Sequence, residues 1–277
     1  MWRPLTALLT IFGLGCSEQP PQEMVPDMKP IDLANPTEID ILRHIYAHIT
    51  DAVRPGVETA QLEELVTDLL KQTEAEGYFK GYRGFPNYIS ASVNNEILMT
   101  LPSSRRLKEG DLFSIQTGVK FSGRHAYVGW TFPVGSISPR RQNLVSTAQR
   151  SLEAGISQIR EGAIVSEVSK AMDSVIRDAG YSPNADFVGY QIGLQPTMAP
   201  QIPCSYSPRA PKARLKTGMT LAIIVVLHEG GASCSVAEDG WSVETSDGSD
   251  SVLFSRLVRV DRDGCTVLSD FPTNNDD

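Results

Sequence analysis

Twice along this chain a pair of amphipathic helical patterns is followed by a run of strand patterns, and that doubled order restricts the fold more than any single motif does. In the first half Ile39, Ile41, Leu42, Ile45, Ile49 and Val53 recur near the 3.6-residue helical period. Thr37, in Asn35-Pro-Thr-Glu, is the expected N-cap, and Arg54-Pro-Gly stops the helix. A second stripe follows at Leu62, Leu65, Val66, Leu69 and Leu70, with Thr59 as its expected cap. Strands are predicted over 89–93 and 97–101 around Asn94-Asn95, then over 112–119 and 126–134 as a hairpin around Ser122-Gly123. The second half predicts helices over 142–159 and 165–179, split by Glu-Gly-Ala. Strands follow at 221–227, 241–245, 251–260 and 265–269. Two similar halves predict one pseudo-symmetric α+β domain with its site between them.

The composition is ordinary for a globular chain of 277 residues, 41% hydrophobic and 21% charged. With 25 Lys+Arg against 33 Asp+Glu the formal net charge is −8. That balance argues against sequence-independent nucleic-acid binding, which needs a basic face.

Residues 1–15 read as an export signal: one Arg, a short apolar stretch, then Gly15 before Cys16. Their layout resembles a bacterial lipoprotein signal, which implies lipidation at Cys16 and attachment in the cell envelope, outer membrane facing periplasm in a two-membrane host. Residues 16–35 are Pro-rich, polar and without period, the composition of a flexible tether. Residues 36–270 form the expected domain and 271–277 a polar tail. None of Cys204, Cys234 and Cys265 belongs to a Cys-x-x-Cys pair, so a zinc ribbon is not expected; two could be bridged, or all could be thiols.

Several words recur in a telling order. They are Arg54-Pro-Gly-Val-Glu-Thr-Ala-Gln-Leu, Ile89-Ser-Ala-Ser-Val-Asn-Asn-Glu, Leu107-Lys-Glu-Gly-Asp-Leu-Phe-Ser-Ile, Lys216-Thr-Gly-Met-Thr-Leu, Asp239-Gly-Trp-Ser-Val and Asp263-Gly-Cys-Thr-Val-Leu. Together, over residues 36–268, they resemble the type I methionine aminopeptidases of the pita-bread (M24) metallopeptidase family. The resemblance implies an α+β pita-bread fold, two pseudo-symmetric halves whose antiparallel sheet is covered by helices. It also implies two divalent metals held by two Asp, one His and two Glu, activating a water for attack on an amide carbonyl.

The positions matching those five ligands carry Gln116, Tyr127, Tyr190, Ile224 and Ser255. The positions matching two further family histidines carry Met99 and Thr197. Hard divalent cations want several anionic oxygens, so no metal and no cofactor are expected. Bulky replacements predict a filled or reshaped cup, with Gln116, Tyr127, Tyr190, Trp241 and Ser255 as candidate binding residues.

Other constellations are weaker. His44 and His48 stand at i, i+4 but lack the intervening general-base Glu of a zinc helix. His125 and His228 are the candidate bases of a metal-independent centre, beside Ser255, Ser205 or Cys204. Ser138-Pro-Arg-Arg and residues 209–216 are short basic runs, read as solvated loops. The sequence thus predicts a catalytically inactive lipoprotein of this family that binds a peptide, a protein partner or an envelope component, with no nucleic acid and with the membrane through Cys16. The alternatives are a metal-independent hydrolase using His125 or His228, and an exported metallo-aminopeptidase.

Overall fold

The computed structural model describes residues 36–209 and 212–270. The expected signal, the lipidation residue Cys16, the tether and the polar tail lie outside the described residues.

Two helix pairs carry the outer layer: α1 (Glu38–Ala52) with α2 (Thr59–Lys71), and α3 (Pro139–Ile156) with α4 (Val165–Asp178). Thr37 caps α1 as expected. Its hydroxyl accepts from Asp40 N at 3.2 Å, while Asp40 accepts from Thr37 N at 3.0 Å. At α2 the cap is Glu58 and not Thr59, with Gln61 reaching back to Glu58 N at 2.9 Å. Thr59 instead exchanges hydrogen bonds with the backbone of Ser103. Helix α3 begins earlier than its apolar period predicts. Ser138 is its N-cap, accepting from Arg141 N at 3.3 Å, and Pro139 takes the first turn, where no donor is needed. The basic run here is therefore helix, and its charges are used internally: Arg140 pairs with Glu229, and Arg141 grips both oxygens of Asp250 at 2.8 Å.

Among the described residues thirteen strands form two antiparallel sheets. In chain order they are β1 (Glu76–Gly77), β2 (Ile89–Val93), β3 (Glu96–Leu98), β4 (Leu112–Phe121), β5 (Arg124–Pro133), β6 (Ser182–Pro183), β7 (Gly189–Ile192), β8 (Met198–Ile202), β9 (Thr220–His228), β10 (Cys234–Val236), β11 (Val243–Thr245), β12 (Ser251–Val260) and β13 (Cys265–Val267). The large sheet runs β1-β4-β5-β12-β9-β7-β8, with β2 on β4, β6 on β9 and β13 on β12. The small one is β10-β11-β3. Strands β7 and β8 were not predicted by the sequence pattern.

The halves repeat each other down to single bonds. Gly56 N donates to Leu107 O and Gly162 N to Leu215 O. Arg106 reaches Gly56 O and Arg214 reaches Gly162 O, both at 2.8 Å. Gly110 at φ 89° and Gly218 at φ 87° turn the chain into β4 and β9. The left-handed region explains a glycine at each.

The halves meet where β5 and β12 pair, Phe254 opposite Trp130. Hydroxyls complete the seam. Ser255 Oγ accepts from Gly129 N at 2.8 Å and donates to Gly129 O at 3.2 Å. Thr131 Oγ1 donates to Leu253 O at 3.0 Å and accepts from Leu253 N at 2.8 Å. One face of the sheet packs under α1 and α3. Successive side chains alternate, so Ile115, Trp130 and Phe254 share that face by register. The opposite, concave face positions the site.

Candidate functional site

The register brings the five ligand-matching side chains to the concave face. Gln116 opposes Gly129 and lies on the same face as Tyr127, whose partner is Gly118. Ser255 opposes Ile224, and Tyr190 opposes Ala222, two residues from Ile224 on β9. Ile224 joins them by the same alternation. The five positions matched through the family resemblance therefore lie on one face, across both halves of the fold.

Their chemistry is not that of a metal site. Gln116 and Tyr127 are each 5% exposed, and Ser255 is 1% exposed. The Ser255 hydroxyl is consumed by both backbone groups of Gly129. Ile224 supplies hydrocarbon. Gln116 Oε1 is buried and has no hydrogen-bond partner. Among the described residues no group of three or more His, Cys, Asp or Glu is placed to hold a metal ion. The two divalent cations that the fold family implies do not fit these residues, because one neutral amide oxygen and two phenols cannot balance their charge. Met99 is half-buried at φ 61°, and Thr197 is exposed in the bend between β7 and β8. Neither is an acid or a base.

Aromatic rings fill the outer part of this face. Tyr78, from the loop after β1, stacks on Tyr127 at 5.3 Å between centroids and 17° between planes. Tyr82 lies 5.5 Å from Tyr78, and His125 meets the Tyr78 edge at 5.7 Å. Burial, and then the phenols of Tyr78, Tyr190 and Tyr82, hold the Tyr127 phenol far above its ordinary pKa. It is a neutral ring here, not a phenolate. Tyr78 and Tyr82 were not among the expected site residues, because nothing local in their sequence marks the long-range contact. Trp241 packs edge-on against buried Phe85 at 5.4 Å.

The two candidate bases differ. His125 shares the concave face with Tyr127, and its Nδ1 is buried and unpartnered. Burial lowers its pKa, with Lys120 acting in the same direction. His228 is 0% exposed and locked. Asn184 Oδ1 accepts from Asp186 N at 2.8 Å and Phe187 N at 2.9 Å, so its Nδ2 donates to His228 Nε2 at 3.0 Å. His228 Nδ1 then carries the proton toward Ser251 Oγ at 3.0 Å. This corrects the expectation for His228: both nitrogens are engaged, and the one hydroxyl that faces it, Ser251, is buried and donates to Leu227 O at 3.4 Å. Cys204 is no partner either; it is buried against Asn184 O and Val226 O, and burial pushes its thiol up to about 11. Cys204, Cys234 and Cys265 are all free thiols. His44 and His48 touch at 4.3 Å, with His48 Nδ1 against His44 O at 3.0 Å, and no third ligand joins them.

Asn184→Ala removes the acceptor of two backbone N–H groups and the donor to His228. The expected loss is about 2–4 kcal/mol of unfolding free energy, read from urea denaturation.

The comparisons with known proteins agree on the fold and correct the functional expectation. The model of Metallopeptidase family M24 matches residues 39–259. Methionine aminopeptidase 1 of Bacillus subtilis (strain 168) is 32% identical over 241 residues, 84% of this chain and 97% of that protein. Methionine aminopeptidase of Borreliella burgdorferi is 34% identical, over 74% of this chain and 82% of that one. The crystal structure of methionine aminopeptidase from Thermotoga maritima superposes with a TM-score of 0.80 at 29% identity, covering 87% of this chain and 99% of that one. Xaa-Pro dipeptidase from Bacillus anthracis, at 17% identity and TM-score 0.67, shares the fold. The expectation of a catalytically inactive protein, a pseudoenzyme acting as a lipoprotein scaffold, is overturned. These relatives carry an enzyme's name over most of the chain, and nothing in them indicates a lipoprotein or an inactive scaffold. The altered ligand positions remove one metal-based route without removing the peptide-enzyme fold. From the repeated halves, the convergent concave face and a match spanning nearly the whole described domain, this chain belongs to metallopeptidase family M24, with the pita-bread fold.

Proposed function

We propose that the chain is an aminopeptidase-type enzyme acting on peptides with a free amino terminus, through chemistry that does not pass through a two-metal centre. The supporting observation is the extent of the match: 32% identity extends over 97% of a relative named methionine aminopeptidase, and the family model spans residues 39–259, which hold β4, β5, β7 and β9. The site residues favour a neutral, metal-free environment, since Gln116, Tyr127, Tyr190, Ile224 and Ser255 stand where carboxylates and imidazole would be needed. His125 is an imidazole on that face, opposite Lys120, whose ammonium is paired with Glu76.

The test is release of methionine from Met-Ala-Ser by the purified full chain, in EDTA and again with Mn²⁺ or Co²⁺. Turnover that survives EDTA, and that falls at least tenfold in His125→Ala, is the expected result. Failure to release methionine under every metal condition overturns the reading.

A further inference from the structure

Resting on the reading that the site takes peptide amino termini, we infer that the concave face holds the α-ammonium group directly, on Gln116 Oε1 and the rings of Tyr127 and Tyr190, with no intervening metal. Three observations carry this. First, Gln116 Oε1 is a buried acceptor without a donor. Buried carbonyl oxygens are nearly always satisfied, so an unsatisfied one marks a place for an incoming N–H. Second, the same face carries another buried polar atom without a partner, His125 Nδ1. By strand register Tyr127 stands between the two, two residues from His125 and two from Gly129, the partner of Gln116.

Third, the surroundings suit a cation. Aromatic faces attract an ammonium, and Tyr78, Tyr82, Tyr127 and Tyr190 are mutually close enough to influence one another's ionisation. Arg256 lies over the Trp130 ring at 4.1 Å, on the helix-covered face. Lys120, at the outer end, is paired with Glu76 at 3.2 Å. Tyr78, Tyr82 and Tyr190 are only half-buried, so the face is reached from their side. The net charge of −8 favours approach of a cation.

The test uses L-methioninol, a primary amine with no amide to cleave, and N-acetyl-L-methioninol, titrated calorimetrically into the full chain in EDTA. The amine is expected to bind at least tenfold more tightly than its acetylated form. Gln116→Leu is expected to abolish that preference while raising the melting temperature, since it removes an unsatisfied buried acceptor. Tyr190→Ala, at a half-exposed edge position, should weaken amine binding severalfold. Equal binding of the two probes, no binding of either, retention of the preference in folded Gln116→Leu, or binding only after Mn²⁺ is added would each overturn the inference. Amine binding without peptide turnover would sink the proposed activity and leave this inference standing; EDTA-resistant turnover without amine preference would do the reverse.

Discussion

Replacing Gly189 by alanine is expected to cost about 3 kcal/mol and to loosen the strand that carries Tyr190. A Cβ at Gly189 would lie 2.2 Å from Ala222 O and 3.2 Å from Ile202 O. Both are backbone atoms of flanking strands, so no side-chain rotation relieves the clash. The glycine is needed for close approach: β7 is inserted between β9 and β8, with Gly189 opposite Ile202 and Tyr190 opposite Ala222. Pushing β7 outward breaks pairing on both sides and withdraws the Tyr190 ring from the concave face. Equilibrium urea unfolding measures the stability loss. The same variant should lose methioninol affinity in parallel, and a variant with wild-type stability would show that β7 does not approach so closely.

The second large effect is on pH. His228 has its pKa lowered to about 4, because burial disfavours the imidazolium, with Asp247 and Asp186 opposing only in part. In the unfolded chain a histidine titrates near 6.5. Between those values the unfolded state binds the extra proton, so stability is full above about pH 6.5 and is lost as the pH falls toward 4. A shift of this size corresponds to about 3 kcal/mol across the window. Burial acts in the same direction on His44, lowered to about 4 beside His48, and on His125; His44 is more solvated and contributes less. Unfolding free energies at pH 7.5 and pH 4.5 for wild type and His228→Gln isolate the term. The variant should lose markedly less stability on acidification. Equal slopes in the two proteins would mean that His228 is protonated in the folded state.

Much of the fold is legible in the sequence because its signals are local. The helical stripes of α1 and α2, the Thr37 cap and the long alternating strands β4, β5, β9 and β12 all declare themselves within a dozen residues. The start of α3 is missed because Ser138-Pro-Arg-Arg resembles a loop by composition; only cap geometry distinguishes an N-cap followed by Pro139. Strands β7 and β8 are missed because four or five residues, broken by a bulge between Tyr190 and Gln191, give no usable period. At the site, the family resemblance points to Gln116, Tyr127, Tyr190, Ile224 and Ser255, but not to what surrounds them. The stacking of Tyr78 on Tyr127 and the Asn184–His228–Ser251 chain join residues 49, 44 and 23 positions apart. No window along the chain contains them. Function was the harder reading: the missing ligands suggested silence, whereas kinship over the whole domain argues for an enzyme.

The hydroxyl seam at the centre of the sheet ties one position of the site to the integrity of the fold. Ser255 occupies a position that matches a family carboxylate, yet here its side chain stitches the two leaves together through Gly129. A carboxylate could accept from Gly129 N, but it could not donate to Gly129 O. Its extra atoms would also press on the buried junction where Phe254 opposes Trp130. Reinstating Glu at 255 would therefore disturb the joint between the halves before it could restore a ligand. Placing a metal ligand at this position would require the seam to be rebuilt first.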